Sequence, residues 1–493
     1  TLTLQNAALP TFGLLFDGST VNYAVSGAQN IAYPLFYNLK ISGTGTKTLT
    51  ANITAHGTVT VGDGSNAGTL VIPSAYSLTG TTNVNTNSTL SIQNSVNPTL
   101  GTLGTGSTVE YALASNGQSV LAANYYNLIF SNYNKTLPNT GTVAISGTFS
   151  AGTATGHLVT GSTVSFIGTS EQTVPAFTFN NLTINNAAGV NAVSDFSVNG
   201  ILNLQSANPS STKGCITMGT DTLTMGASAA TTGIGDVTGK VKRTVINAET
   251  SYSFGNQFTT ISLTQGTMPA YINVIITLGN DPLRTSAINR RYEIIVPTTA
   301  NSDVSKISAN FHYLDGELNG NTESKLVTGD YDIKGPCGGG SSTPDEHGRS
   351  AYDITTPNCK YVGLSNVPLS YFIFVTCSHD WRTIFSLADY TATNFRTWLG
   401  ANSSNWNDPG NWVEDAIPDE SCRITIPDAS TTNFDPVLQE TVDIQALSLE
   451  QGALFTLDYD IKVNGGGVVG AGTWNDVSGG LSPNGKTVTF TGL

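Results

Sequence analysis

The sequence predicts an all-β chain: β-solenoid (β-helix-like) repeats, an intervening β-sandwich, and the start of a second β-solenoid. Three observations carry this expectation. Charged residues fill only 11% of 493 positions, against roughly 25% in an ordinary soluble protein. Gly is abundant at 52 and Met scarce at three, and the shortage of long side chains disfavours helix. One motif recurs three times with matching internal spacing, and such recurrence marks stacked repeats.

Gly18-Ser19-Thr20-Val21 returns at Gly106-Ser107-Thr108-Val109 and at Gly161-Ser162-Thr163-Val164. An aromatic follows two residues after each Val: Tyr23, Tyr111 and Phe166. Phe36-Tyr37-Asn38-Leu39, Tyr125-Tyr126-Asn127-Leu128 and Phe179-Asn180-Asn181-Leu182 come next. The Gly-to-Asn distances are 20, 21 and 20 residues, and Gly57, Gly147 and Gly200 follow the Leu at 18, 19 and 18. Between these markers, Thr58-Val59-Thr60-Val61 and Thr89-Leu90-Ser91-Ile92 alternate polar and apolar, the pattern of a strand with one buried face. A step of about 20 residues fits one solenoid coil, whose apolar face is covered only when neighbours stack. Asn38, Asn127 and Asn181 read as turn residues, because Asn tolerates the left-handed conformation and bonds its own backbone. This gives residues 1–237 as solenoid.

After residue 237 the texture changes. Tyr271-Ile272-Asn273-Val274-Ile275-Ile276, Tyr292-Glu293-Ile294-Ile295-Val296 and Tyr371-Phe372-Ile373-Phe374-Val375 are long apolar strands parted by turn clusters. They predict an antiparallel, immunoglobulin-like sandwich over 238–395. Residues 396–420 read as a connector, with Trp398, Trp406 and Trp412 as a packed cap or, in the competing reading, a sugar-stacking platform. Solenoid-like alternation returns over 421–493, and Gly485-Lys486-Thr487-Val488 resembles the opening of a further repeat. With Thr1 in place of a Met, the expectation is a piece of a longer polypeptide.

The coil text (Gly-Ser-Thr-Val, aromatic-x-Asn-Leu, Lys47-Thr48-Leu49) resembles the long repetitive surface proteins of Bacteroidota exported by the type IX secretion system. Modules of those proteins carry an Arg-Tyr-Trp strand; this chain has Arg291-Tyr292-Glu293. The run from Trp398 to Pro418 is similar to the opening segment of secreted β-helical passengers. The resemblance implies an extracellular, cell-surface adhesin of attachment or gliding. Its implied partners are surface polysaccharide, further copies of itself, and the secretion machinery.

Charge excludes several other classes. The net charge of −14 and pI near 4.6 leave no basic face for nucleic acid or an anionic membrane. No apolar run reaches the ~18 residues of a membrane helix, so no direct membrane insertion is expected. Ser378-His379-Asp380 cannot form a triad, since consecutive residues cannot chain nucleophile, base and orienter. The coils carry too few acids for a glycosidase pair. The chain therefore reads as a non-enzyme with no cofactor; calcium is left open by the acidity but without a place. Asp315-Gly316-Glu317-Leu318-Asn319-Gly320 starts like a calcium loop yet has Leu326 where Glu is needed. Five Cys suggest a Cys337–Cys359 disulfide around a Gly-rich loop, with Cys359–Cys377 as the rival pairing. Two further functions fit the same text: a self-assembling filament or sheath subunit, or a passenger of a secreted carbohydrate-active protein whose active module lies elsewhere.

Overall fold

Alternating Thr/Val text becomes parallel strands in the computed structural model, which describes residues 1–6, 12–13, 15–244, 246–264, 268–282, 284–297, 306–331, 345–348, 351–356, 359–368, 375–377, 380–389, 395–413, 417–418, 422–444, 446–450, 452–463, 473–476, 480–482 and 487–490. The chain divides into two compact units, Thr1–Lys240 and Val241–Leu493. Among the described residues every regular element is a strand or a short 3-10 turn.

In the first unit, strand Thr20–Tyr23 lies parallel to Asn38–Ile41 and that to Ile53–Val61, with Val21, Leu39 and Val59 in register. A second face stacks Leu70, Leu90, Val109 and Leu128 in the same way. Along these ladders the partner stands 18 to 25 residues on, one coil. Val21 and Tyr23 are buried while Thr20 and Asn22 are half-exposed, so each strand sends alternate residues into the coil interior. Each inward aliphatic contributes about 1.5–3 kcal/mol only once the next coil covers it, so the coils are stable as a stack.

The two halves of the recurring motif are consecutive coils. Thr20 pairs Asn38, Thr108 pairs Asn127, and Thr163 pairs Asn181. Gly18, Gly106 and Gly161 have φ of 78°, 74° and 77°, left-handed values that an L side chain resists. The Ser that follows closes the turn, its N–H donating to Phe16, Gly104 and Val159 carbonyls. Asn87-Ser88-Thr89-Leu90 is a further copy in which Asn87, at φ 58°, replaces Gly. The first copy lies in the sheet of Leu39 and Val59, the second in that of Leu70 and Leu90. The motif therefore encodes a corner and the strand after it, not one particular face.

The second unit opens with two antiparallel sheets. One orders Tyr252–Ser253, Thr260–Thr264, Lys306–His312, Tyr361–Pro368 and Ala351–Asp353; the other includes Ile272–Leu278, Arg290–Pro297, Asp380–Asp389, Leu326–Tyr331 and Asp345–Gly348. Phe311 of the first sheet joins them, 4.8 Å from Tyr292 and stacked on Phe385 at 5.0 Å. Parallel pairing resumes at Phe395–Thr397, which lies on Arg423–Ile426, followed by Ala446–Leu449 and Thr473–Asp476. Among the described residues no helix is long and apolar enough to cross a membrane.

Candidate functional site

The Asn residues of the motif do more than turn the chain, and their role differs from the expected one. None is left-handed; the only positive-φ residues besides Gly among the described residues are Asn87, Glu249 and Asn319. Asn38, Asn127 and Asn181 each open a strand and bond the coil above. The Asn38 Oδ1 accepts the Thr58 N–H at 3.0 Å, Asn127 Oδ1 the Thr148 N–H at 3.0 Å, and Asn181 Oδ1 the Ile201 N–H at 2.9 Å. Asn83 repeats the contact on Thr102 N–H at 2.8 Å. At a corner the strand-to-strand ladder loses an acceptor, and the side-chain carbonyl supplies it.

This clamp also explains the third marker of the repeat. Gly57, Gly147 and Gly200 sit directly over the Asn of the coil below, and a Cβ on any of them would run into that Asn Oδ1, at 2.6 Å for Gly147. The same space is shared by Tyr37 over Gly57 and by Tyr126 over Gly147. Amide and ring thus converge on a bare glycine.

Buried polar plugs are the feature that sequence reasoning passed over. Gln29 pairs Lys47 and Gln118 pairs Lys135 in adjacent coils, and all four are buried, as is Gln172. The Lys47 ammonium donates to the carbonyls of Val25 (2.8 Å), Gly27 (2.9 Å) and Thr44 (3.1 Å). Gln118 Nε2 donates to Ile92 and Asn94 carbonyls while its Oε1 accepts the Leu113 N–H. Gln172 repeats this on Ile145, Gly147 and Gly168. Lys47, Gln118 and Gln172 thus gather backbone groups inside the coil, whereas Lys135 Nζ donates to Ser131 Oγ at 2.9 Å. The signal was present as Gln-Asn-Ile, Lys-Thr-Leu, Gln-Ser-Val, Lys-Thr-Leu and Gln-Thr-Val at 29, 47, 118, 135 and 172. Burial lowers the pKa of Lys47 and of Lys135. Beside the latter, His157 Nδ1 accepts the Lys135 N–H at 3.0 Å and its ring packs on Phe130 and Phe177.

Trp398, Trp406 and Trp412 are fully buried and share one core with Cys422, Ile424, Leu447, Phe455 and their neighbours. Trp406 stacks on Phe455 at 5.3 Å, and Trp412 meets Trp406 edge-on at 4.6 Å. Trp398 Nε1 donates to the Phe434 carbonyl and Trp412 Nε1 to that of Trp406. Buried Asn411 holds the loop, accepting from Asn402 and Ser403 N–H and donating to Ser403 Oγ and the Asn405 carbonyl. None of these three indoles leaves a face for a sugar to stack on, so the platform alternative is set aside.

Asp315, Glu317 and Asn319 do not assemble as cation ligands. Glu317 is held bidentate by Arg290 at 2.8 and 2.9 Å, Asp315 is paired with Lys360, and Asn319 donates to Thr285 and Ala287 carbonyls. Among the described residues no group of three metal-ligating side chains forms. Cys359 is a free, half-buried cysteine; Cys337, its expected partner, lies outside the described residues, as do Ser378 and His379.

On the outer surface, Thr46, Thr69, Thr89, Thr108 and Asn127 stand in register, one per coil, on one face. The neighbouring column is mixed: Thr48, Val71, Ser91, Glu110, Ile129, with Ser91 buried. One file of Thr and Asn is therefore regular, and the file beside it is not. Residues 1–240 hold five Lys, no Arg and seven Asp or Glu, and two of those Lys are the buried plugs. No protein-family model, curated protein or solved structure significantly matches this chain.

Proposed function

We propose that the chain is an extracellular structural and adhesive module of a larger cell-surface protein, of the repetitive kind exported by the type IX secretion system, and that its role is attachment. The observation that carries this reading is the in-register coil stack with its uncharged outer file of Thr and Asn. Stacked parallel coils resist bending because the strands of an inner coil are hydrogen-bonded to the coils on both sides. Hydroxyl and amide groups held at ~4.8 Å intervals suit contact with polyhydroxylated surfaces better than with charged ones. A low charge density also removes the long-range repulsion that would hold two like-charged surfaces apart.

Immunogold electron microscopy of intact source cells, with antibody raised against this chain, tests the reading. Label along surface fibres or the outer envelope is expected. Label confined to the medium, with bare cells, overturns it in favour of a released passenger.

A further inference from the structure

We propose that two solenoid corners, Tyr37–Asn38–Thr58 and Tyr126–Asn127–Thr148, are binding subsites for an uncharged glycan. The proposal rests on the adhesive reading and gives it a place and a ligand class. Each corner brings three kinds of group together. The Tyr37 ring and the Asn38 amide both reach the point where a Gly57 Cβ would stand, the ring at 3.2 Å, and Thr58 follows Gly57 directly. At the second corner the Tyr126 ring and the Asn127 amide both stand 2.6 Å from that point over Gly147, and Thr148 follows.

Both tyrosines are half-exposed, and among the described residues neither phenol hydroxyl has a hydrogen-bond partner. Thr58 and Thr148 are exposed. The Asn38 Oδ1 accepts from the Thr58 N–H and hydroxyl, and its Nδ2 has no partner among the described residues. Asn127 Oδ1 likewise accepts from the Thr148 N–H and hydroxyl, but its Nδ2 donates to the Gly106 carbonyl at 3.3 Å and Thr108 Oγ1 at 3.4 Å. The outward amide donor therefore belongs to the first corner, while at both corners the Thr hydroxyl keeps its lone pairs to accept from a ligand. A ring with an apolar body and polar tip, flanked by an amide and a hydroxyl, presents a stacking surface and hydrogen-bond groups within one sugar's reach. One outward charge of opposite sign stands two positions along at each corner, Lys40 beyond Asn38 and Glu110 beyond Thr108, the partner of Asn127, so an uncharged glycan is the ligand that suits both.

The third corner shows that the tyrosine is not required by the clamp. There Asn180 stands in the place of Tyr and Ile201 in that of Thr, yet Asn181 Oδ1 still accepts the Ile201 N–H at 2.9 Å over Gly200. Shielding a bare glycine with a ring is the competing role. The two roles separate experimentally, since shielding changes stability and binding changes affinity.

The test is calorimetric titration of the full chain with soluble neutral oligosaccharides, gluco-, manno- and galacto-configured, alongside attachment of the chain to source-cell envelopes. The expected result is binding of at least one neutral series, insensitive to salt. Affinity should fall about tenfold in Tyr37→Ala/Tyr126→Ala and hold in Asn180→Ala. Should the tyrosine pair melt early, Asn38→Asp keeps the acceptor for the Thr58 N–H and removes the outward donor; reduced affinity at unchanged melting then supports the subsite. Wild-type affinity in both the tyrosine pair and Asn38→Asp overturns the subsites and leaves the adhesive reading standing. Attachment to envelopes without any neutral-glycan binding overturns the ligand class alone. Absence of both overturns the proposal and the adhesive reading together.

Discussion

At the scale of single residues, the corner clamp ties three positions that look independent in the sequence. Gly147 is bare because Asn127 and Tyr126 fill its Cβ space, and the Asn is there because the Thr148 N–H needs an acceptor. Gly147→Ala should therefore cost about 1–3 kcal/mol through overpacking. In Asn127→Ala/Gly147→Ala the loss should be smaller than the sum of the single losses. Guanidinium denaturation of the four species measures the coupling, and strict additivity would show the contact to be absent. His157 gives a second residue-scale expectation. Burial lowers its pKa, with the Lys135 charge adding to the effect, and only the neutral ring accepts the Lys135 N–H. A folded pKa below the unfolded value near 6.5 means that the group's contribution is complete above ~6.5 and is lost as pH falls toward the folded value. Stability should drop between neutral and mildly acidic pH, and His157→Asn, whose Oδ1 can replace Nδ1 without titrating, should flatten that part of the profile. The Gly and Asn of the repeat were legible because a backbone need fixes each residue type. What the Asn bonds was not legible, since its partner lies a coil away and alternation gives no corner geometry.

At the scale of the element, the coil interior is a column of aliphatics interrupted by polar plugs. Sequence periodicity found the aliphatics readily where, as at Leu90 and Val109, both neighbours are polar. Gln118 and Lys47 occupy inward positions too, but a polar residue in an alternating strand reads as outward-facing, so the register alone hid them. The plug account makes a selective prediction. Lys47→Met fills a similar volume yet leaves the Val25, Gly27 and Thr44 carbonyls without their donor, at about 1–3 kcal/mol for an unsatisfied buried group. Lys47→Gln retains two donors, as Gln118 and Gln172 do in the same role, and should be the milder change. Denaturation midpoints of the two variants decide it; equal losses would mean that packing, not carbonyl satisfaction, selects the residue. The tryptophan segment was legible for a different reason. Three large aromatics within fifteen residues, with Asn before two of them, demand a common core, and Trp406 on Phe455 places that core inside the following coils. The conformation of Gly400, at φ 57° against the Phe434 carbonyl, was not legible from the Trp-x-Gly text.

At the scale of the molecule, charge and stacking are distributed unevenly. Residues 1–240 carry a net charge of −2 and the remaining residues −12, so the acidity that dominates the composition belongs to the second unit. The first unit's stability then rests on coil-to-coil contact with little electrostatic contribution. A stack of this kind behaves as a sum of coil and interface contributions, which makes whole coils removable. Deleting residues 69–88 joins Gly68 to Thr89. Thr89–Ile92 then takes the place of Thr69–Ile72, with Leu90 for Leu70 and Ile92 for Ile72, because those residues are already register partners. The two inward positions of that strand stay apolar and the downstream coils keep their phase, so the shortened chain should fold cooperatively with a modestly lower guanidinium midpoint. Deleting residues 69–78 removes half as much but brings Gly80 and Thr82 to the inward positions of Leu70 and Ile72. That change strips the core of one face and misplaces the corners, and the product should be aggregated or proteolysed. Circular dichroism and limited proteolysis of both deletions settle the matter: if the shorter deletion folds as well as the longer, register does not hold the stack together. Local length thus matters less than phase, and phase is what the Gly-Ser-Thr-Val corner keeps from coil to coil.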